Sequence, residues 1–131
     1  MIGIILAILQ IIFAVGLIGF WVYFFLVENK DPNQEECYLK HERSFPLPDI
    51  GLIAVSLLAA AIGLLTNQRL GIFFTIVAGG ALMFLGLIDF SFNLQNKRFT
   101  TKDIDAYMSI FIVVVALTMG ILCLIFGYFN F

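Results

Sequence analysis

The sequence predicts an all-α integral membrane protein, four transmembrane helices in an up-down-up-down antiparallel bundle, and three observations carry that expectation. Of its 131 residues 62% are hydrophobic and only 12% charged, where soluble chains average about 25% charged. The apolar residues gather into four runs, approximately 1–27, 49–66, 70–93 and 105–131, each long enough to cross a hydrocarbon core of roughly 30 Å. Each run also carries one stripe of small or polar residues at steps of three and four, with Phe, Ile, Leu and Met elsewhere. A soluble helix has the opposite arrangement. In a bilayer helices associate through small residues and shared polar groups, so the stripes mark inward seams. The whole of 1–131 reads as one domain.

The first run is interrupted only by Gln10 and makes a rod of roughly 40 Å, which must tilt or protrude. A secretory signal is the competing reading. Against it, no basic n-region precedes the run, and no small-x-small cleavage site follows before Glu28. Its seam is Gly3, Ala7, Gln10, Ala14, Leu17 and Trp21. Trp21 and Tyr23 also stand where an aromatic belt at the membrane interface is expected.

The polar connection 28–48, ENKDPNQEECYLKHERSFPLP, holds five acids, three basic residues, His41 and three prolines. Its tract Phe45, Pro46, Leu47, Pro48 is expected to be extended, because proline fixes its own φ and biases its predecessor away from helix. The second helix then begins near Pro48 and Asp49, with Asp49 placed to act as a cap. Its seam is Asp49, Leu52, Ser56, Ala59, Gly63 and Thr66. Asn67, Gln68 and Arg69 allow only a tight hairpin to the third helix, whose seam is Thr75, Gly79, Leu82, Gly86, Asp89 and Asn93. A second polar connection, 94–104, precedes the fourth helix, for which Thr101 or Asp103 is a candidate cap. The last seam is Ser109, Val113, Ala116, Gly120, Cys123 and Gly127.

Depth gathers the polar members of these seams. Asp89 lies 19 residues beyond Leu70, about 29 Å along the axis and so near the face opposite the 67–69 hairpin. Asp49 and Ser109 open their helices at that same face. A polar mouth of Asp49, Asp89, Asn93 and Ser109 is therefore expected, beneath a loop carrying His41, Glu42 and Arg43, with Gln10 deeper as a floor. Such a mouth suits a small cation, an amine or a lipid headgroup, since intramembrane ionisable residues mark such pathways. The bland reading is that Asp49 caps its helix and that Arg43 or Lys97 neutralises Asp89. By the same depth argument Cys37 and Cys123 are too far apart to form a disulfide.

Lys30, Lys40, Arg43, Lys97, Arg98 and Lys102 all lie in connections 28–48 and 94–104, whereas Arg69 stands alone in the hairpin 67–69. The positive-inside rule makes those two connections cytoplasmic and puts both termini outside. A net charge of −2 and the lack of any basic and aromatic interleaving exclude nucleic acid as a partner. One histidine and scattered carboxylates do not make a metal set. No nucleophile with its base appears, so no catalytic residue and no cofactor is assigned. Small multidrug transporters carry an embedded glutamate where this chain has Gln10, and the CxxC of vitamin K epoxide reductase relatives is absent. The expected role is a non-enzymatic accessory, scaffold or assembly component that packs with itself or a larger membrane protein. The alternative is a carrier, channel or receptor using the polar mouth.

Overall fold

A computed structural model describes residues 1–96 and 104–131, the side chains of Ile104 and Asp105 excepted. Connection 94–104, Lys97 and the candidate caps Thr101 and Asp103 thus lie wholly or largely outside the described residues. Those described are 88% helical and include no strand. Among them four helices are long and apolar enough to cross a membrane, within Ile2–Lys30, Glu36–Leu65, Arg69–Gln95 and Ala106–Asn130. The chain forms two compact units, Met1–Phe74 and Thr75–Phe131.

The first unit opens with α1, Ile2–Leu26, and a 3₁₀ turn, Glu28–Lys30. The buried side of α1 is Leu6, Ala7, Gln10, Ala14, Trp21 and Phe24, a face at steps of three and four. Ile8, Ile12, Val15 and Val22 are exposed on the other side. Gly3 and Leu17, expected on the seam, are only half-buried. Trp21 departs from the belt expectation: it is 3% exposed and turned into the fold, while Tyr23 is exposed.

Much of the polar connection is helical, which corrects the extended reading of 45–48. A short helix, α2, spans Glu36–Glu42, and the chain re-enters helix at Pro46–Pro48. Phe45 is buried, with φ −97° and ψ −23°. Pro46 and Pro48 occupy the first helical turn, where the absent N–H has no partner to lose and the fixed φ already suits a helix. The two prolines therefore start the helix. From there Pro46–Pro48, a π-helical stretch Asp49–Ala54 and the α-helical Val55–Leu65 follow without a break; together they are α3. Asp49 is accordingly inside the helix and is not its cap.

The π-turn also redraws the expected seam of α3. Its bonds close from i to i+5, so the residues returning to Asp49's face are Ile53 and Ala54, both buried, while Leu52 is exposed. Ser56, Leu57, Ala60, Ala61 and Gly63 continue the buried side, with Ala59 half-buried and Thr66 exposed. This side packs against α1. After Leu65 the helix closes with a Schellman pattern, Gln68 N–H to Gly63 O at 2.8 Å and Asn67 N–H to Leu64 O at 3.3 Å. Asn67 takes the required left-handed conformation at φ 56°, which asparagine tolerates better than most residues. The next helix, α4 (Arg69–Gln95), begins at once. A Cβ on Gly63 would collide with the backbone of Gly71, so glycine at both positions lets the hairpin close.

In the second unit α4 meets α5, Ile104–Asn130, through glycines. Thr75, Gly79, Leu82, Gly86 and Asn93 are buried on α4, as are Val113, Ala116, Gly120, Cys123 and Gly127 on α5. A Cβ on Gly79 would stand 2.9 Å from Leu124 Cγ and 3.1 Å from Gly120 O, and one on Gly120 3.1 Å from Gly79 O. Gly86 meets Leu117, and Gly127 meets Ile76. Residue numbers rise along one helix as they fall along the other, so this pair runs in opposite directions.

These contacts separate packed glycines from open ones. Gly63→Ala forces backbone against backbone, and overpacking of this kind costs about 1–3 kcal/mol, more than the roughly 1 kcal/mol that alanine contributes as a helix former. At Gly16 a Cβ meets nothing within 4 Å. Thermal unfolding in detergent should show a lowered midpoint for Gly63→Ala and an unchanged or raised one for Gly16→Ala.

Candidate functional site

The most fully formed polar contact of the first unit joins α1 to the start of α3. Trp21 Nε1–H donates to Asp49 Oδ2 at 2.9 Å, and both residues are 3% exposed. Two features of the sequence produce this. Trp21 shares the face of Ala7, Gln10 and Ala14, so it points at α3, and the small alanines let the helices approach. On α3 the two prolines start the helix early enough to bring Asp49 inside it. The indole is held from its other sides by Phe20 and Phe24, edge to face at 5.0 and 5.2 Å between ring centroids. A buried carboxylate is thereby oriented by a donor on a neighbouring helix, an arrangement that fixes position and direction.

The polar segment is organised by its own side chains. Tyr38 Oη–H donates to Glu28 Oε2 at 3.1 Å, and Arg43 donates through Nε to Asn29 Oδ1 at 2.7 Å. Arg43 also pairs with Glu36, Nη1 to Oε1 at 3.6 Å. His41 is half-buried with its ring edge to face on Phe45, centroids 4.8 Å apart. Glu42 is half-buried, and its carbonyl accepts from Phe45 N–H. Of the three loop residues singled out in the sequence, Arg43 thus ties the end of α2 to the 3₁₀ turn that follows α1, and His41 packs on an aromatic ring.

In the second unit Asp89 is half-buried, Asn93 buried and Ser109 half-buried. Asn93 Nδ2 donates to the backbone O of Asp89 at 2.7 Å, so its amide is turned onto its own helix. Gln10 is fully buried on the α3-facing side of α1, in the first unit. Asp49 belongs to the first unit; Asp89, Asn93 and Ser109 belong to the second. Cys37 and Cys123 are both thiols, the former exposed and the latter buried.

Reasoning from the sequence missed Trp21 as the partner of Asp49 and did not find the Tyr38–Glu28 and Arg43–Asn29 ties. A signal for the first was present: Trp21 falls on the seam of the first run, so its indole N–H needs an acceptor on another helix. No family model matches this chain, and neither a curated protein nor a solved structure matches it.

Leaving a buried acceptor without its donor costs about 1–3 kcal/mol. Trp21→Phe, which keeps an aromatic ring, should destabilise the protein by that order. Asp49→Asn should cost less, since its amide oxygen still accepts. Removing both polar groups in Trp21→Phe/Asp49→Leu should cost less than the sum of Trp21→Phe and Asp49→Leu measured singly, a cycle completed by the wild type. Chemical unfolding of the four proteins in micelles measures that coupling; additivity would mean the bond contributes nothing to stability.

Proposed function

We propose that this chain is an integral membrane protein crossing the bilayer four times, up-down-up-down, with 28–48 and 94–104 cytoplasmic and both termini outside. Within the membrane it serves as a non-enzymatic accessory or assembly component, packing through apolar helix faces with a second copy or a larger membrane protein. One observation carries this reading. In the first unit Asp49 accepts from Trp21, Glu28 accepts from Tyr38, and Arg43 donates to Asn29 and pairs with Glu36, while Ile8, Ile12, Val15 and Val22 line an exposed apolar face of α1. Polar chemistry there is directed to holding the fold, and what remains outward suits lipid or another apolar helix.

A second reading, a site for a small cation, amine or lipid headgroup, is favoured by one residue. Asp89 is a half-buried acid in a helix otherwise apolar enough to cross a membrane, and such residues mark ligand pathways. Native mass spectrometry of gently extracted protein distinguishes the two. A retained protein partner or second copy is the expected result. A bound small molecule or lipid that disappears in Asp89→Asn, with no protein partner retained, would favour the second reading.

Topology is testable with a native probe. Cys37 is exposed in the first polar connection, and Gln68 is exposed in the hairpin beyond α3. Gln68→Cys is preferable to Asn67→Cys because Asn67 has a left-handed backbone. An impermeant thiol reagent on intact cells should label the cysteine at 68 and spare Cys37; the reverse pattern would invert the orientation.

A further inference from the structure

Tyr107 and Tyr128 are the two tyrosines of α5, and both are exposed, at 61% and 70%. They stand 21 positions apart, about 31 Å along a helix axis, which matches the roughly 30 Å depth of a bilayer's hydrocarbon core. Between them Phe111, Val114, Thr118, Ile121 and Ile125 are exposed at steps of four and three, so one face of the helix runs unbroken from ring to ring. No charged residue occurs from Tyr107 to Tyr128, whereas Lys102, Asp103 and Asp105 come just before. The one hydroxyl between the rings on this face, at Thr118, can turn to a carbonyl of its own helix.

We propose that this face of α5 meets lipid, with Tyr107 and Tyr128 anchored at the two headgroup layers so that the pair sets the depth of the helix. Tyrosine suits that boundary because its ring is apolar and its hydroxyl polar, and it is enriched at both membrane interfaces. The neighbouring helix marks one of the two planes independently. Leu117 faces Gly86 and Ile76 faces Gly127, so ten positions back from Leu117, to Tyr107, correspond to ten positions forward from Gly86, to Asn96. Gln95 and Asn96 are both exposed, and the apolar surface of α4 thus gives way to amides at the level of the Tyr107 ring. At the other end Phe129 and Phe131 are exposed beside Tyr128, their ring centroids 5.2 and 6.4 Å from its own, an aromatic cluster of the kind found at an interface. A second copy seated on this face would account for its apolar middle, but not for hydroxyl-bearing rings at its two ends, one hydrocarbon thickness apart. The inference rests on the reading of the chain as membrane-spanning and concerns the second unit alone.

Spin labels on Phe111→Cys, Thr118→Cys or Ile125→Cys, in a Cys37→Ser/Cys123→Ala background of the full chain, report depth in dioleoylphosphatidylcholine vesicles through their accessibility to oxygen against a water-soluble nickel chelate. Phe111 and Ile125 lie seven positions on either side of Thr118, so the Thr118 label should be the deepest and the other two shallower to a similar extent. Tyr107→Ala/Tyr128→Ala, at exposed positions that leave the packing on α4 intact, should move the deepest point away from Thr118. Tyr107→Trp/Tyr128→Trp, which keeps interfacial rings, should hold it there. A deepest label at Phe111 or Ile125, an unchanged profile in the alanine variant, or equal disturbance by alanine and tryptophan overturns the anchors. A Thr118 label reached by neither oxygen nor nickel would mean that protein covers the face, and also overturns the proposal. Nickel reaching all three labels alike would overturn the membrane-spanning reading itself, a failure distinct from that of the anchors.

Discussion

A carboxylate on an apolar helix needs a partner, and the pairing of Asp49 with Trp21 sets the geometry of the first unit. Burying a polar or charged group without a hydrogen bond is costly, so Asp49, 3% exposed, is tolerable only where a donor reaches it. The buried side of α1 offers few: of its buried residues only Gln10 and Trp21 carry an N–H on the side chain. Trp21 makes the bond, and that choice fixes the rotation of α1 about its axis. Ala7 and Ala14 then fall on the same buried side, and Ala60 and Ala61 are buried on α3. One polar contact therefore specifies a face that apolar packing alone would leave interchangeable with its neighbours, since Leu and Ile surround both helices.

The second unit is specified by a different means. Between α4 and α5 the discriminating residues are those with no side chain, Gly79 against Gly120 and Gly86 against Leu117, with Gly127 against Ile76. Where the surroundings are as apolar as the helices, burial of hydrocarbon distinguishes little, and close approach with dense van der Waals contact supplies the preference. A glycine opposite a leucine or isoleucine is also directional: each large side chain has one place to go. The same logic closes the hairpin at Gly63 and Gly71, where even a methyl group would not fit.

Much of this was legible in the sequence, and the parts that were not share a cause. The seams of α4 and α5 are buried at nearly every position named, because both helices keep one α-helical period throughout and spacing maps directly onto direction. The seam of α3 fails at Leu52 because the π-turn changes the period within the helix, and no residue pattern announces a π-turn. The Phe45–Pro48 tract was misread because proline restricts its predecessor and also begins helices well; Phe45 is buried within the fold, and helix initiation prevails. Trp21 met two valid rules, belt residue and seam residue, and the acceptor on another helix decided between them. For the candidate site, the sequence singled out Asp49, Asp89, Asn93, Ser109, Gln10, His41, Glu42 and Arg43, but their partners depend on contacts far apart in the chain. Trp21 and Asp49 are separated by 28 positions. Asn93 instead turns to a carbonyl four residues back, which composition cannot distinguish from an amide directed at a ligand.

The polar segment is joined to the helices of the first unit by both surface and buried contacts. Among its contacts, the Arg43 pair with Glu36 and the Asn33 N–H bond to Asp31 Oδ1 lie at the surface, where an exposed ion pair contributes about 0–1 kcal/mol, while Tyr38, Leu39 and Phe45 are buried. The contact that resists exchange with water is the buried one between Trp21 and Asp49. Phe45 and Pro46 join the segment directly to the helix turn that begins at Asp49, with Asp49 N–H donating to Phe45 O at 2.8 Å. Asp49 and the segment are therefore joined through continuous helix, and the buried Phe45 stands at that junction. The interhelical bond and the start of α3 thus form one connected feature, with the Trp21 indole at one end and the Phe45 ring at the other.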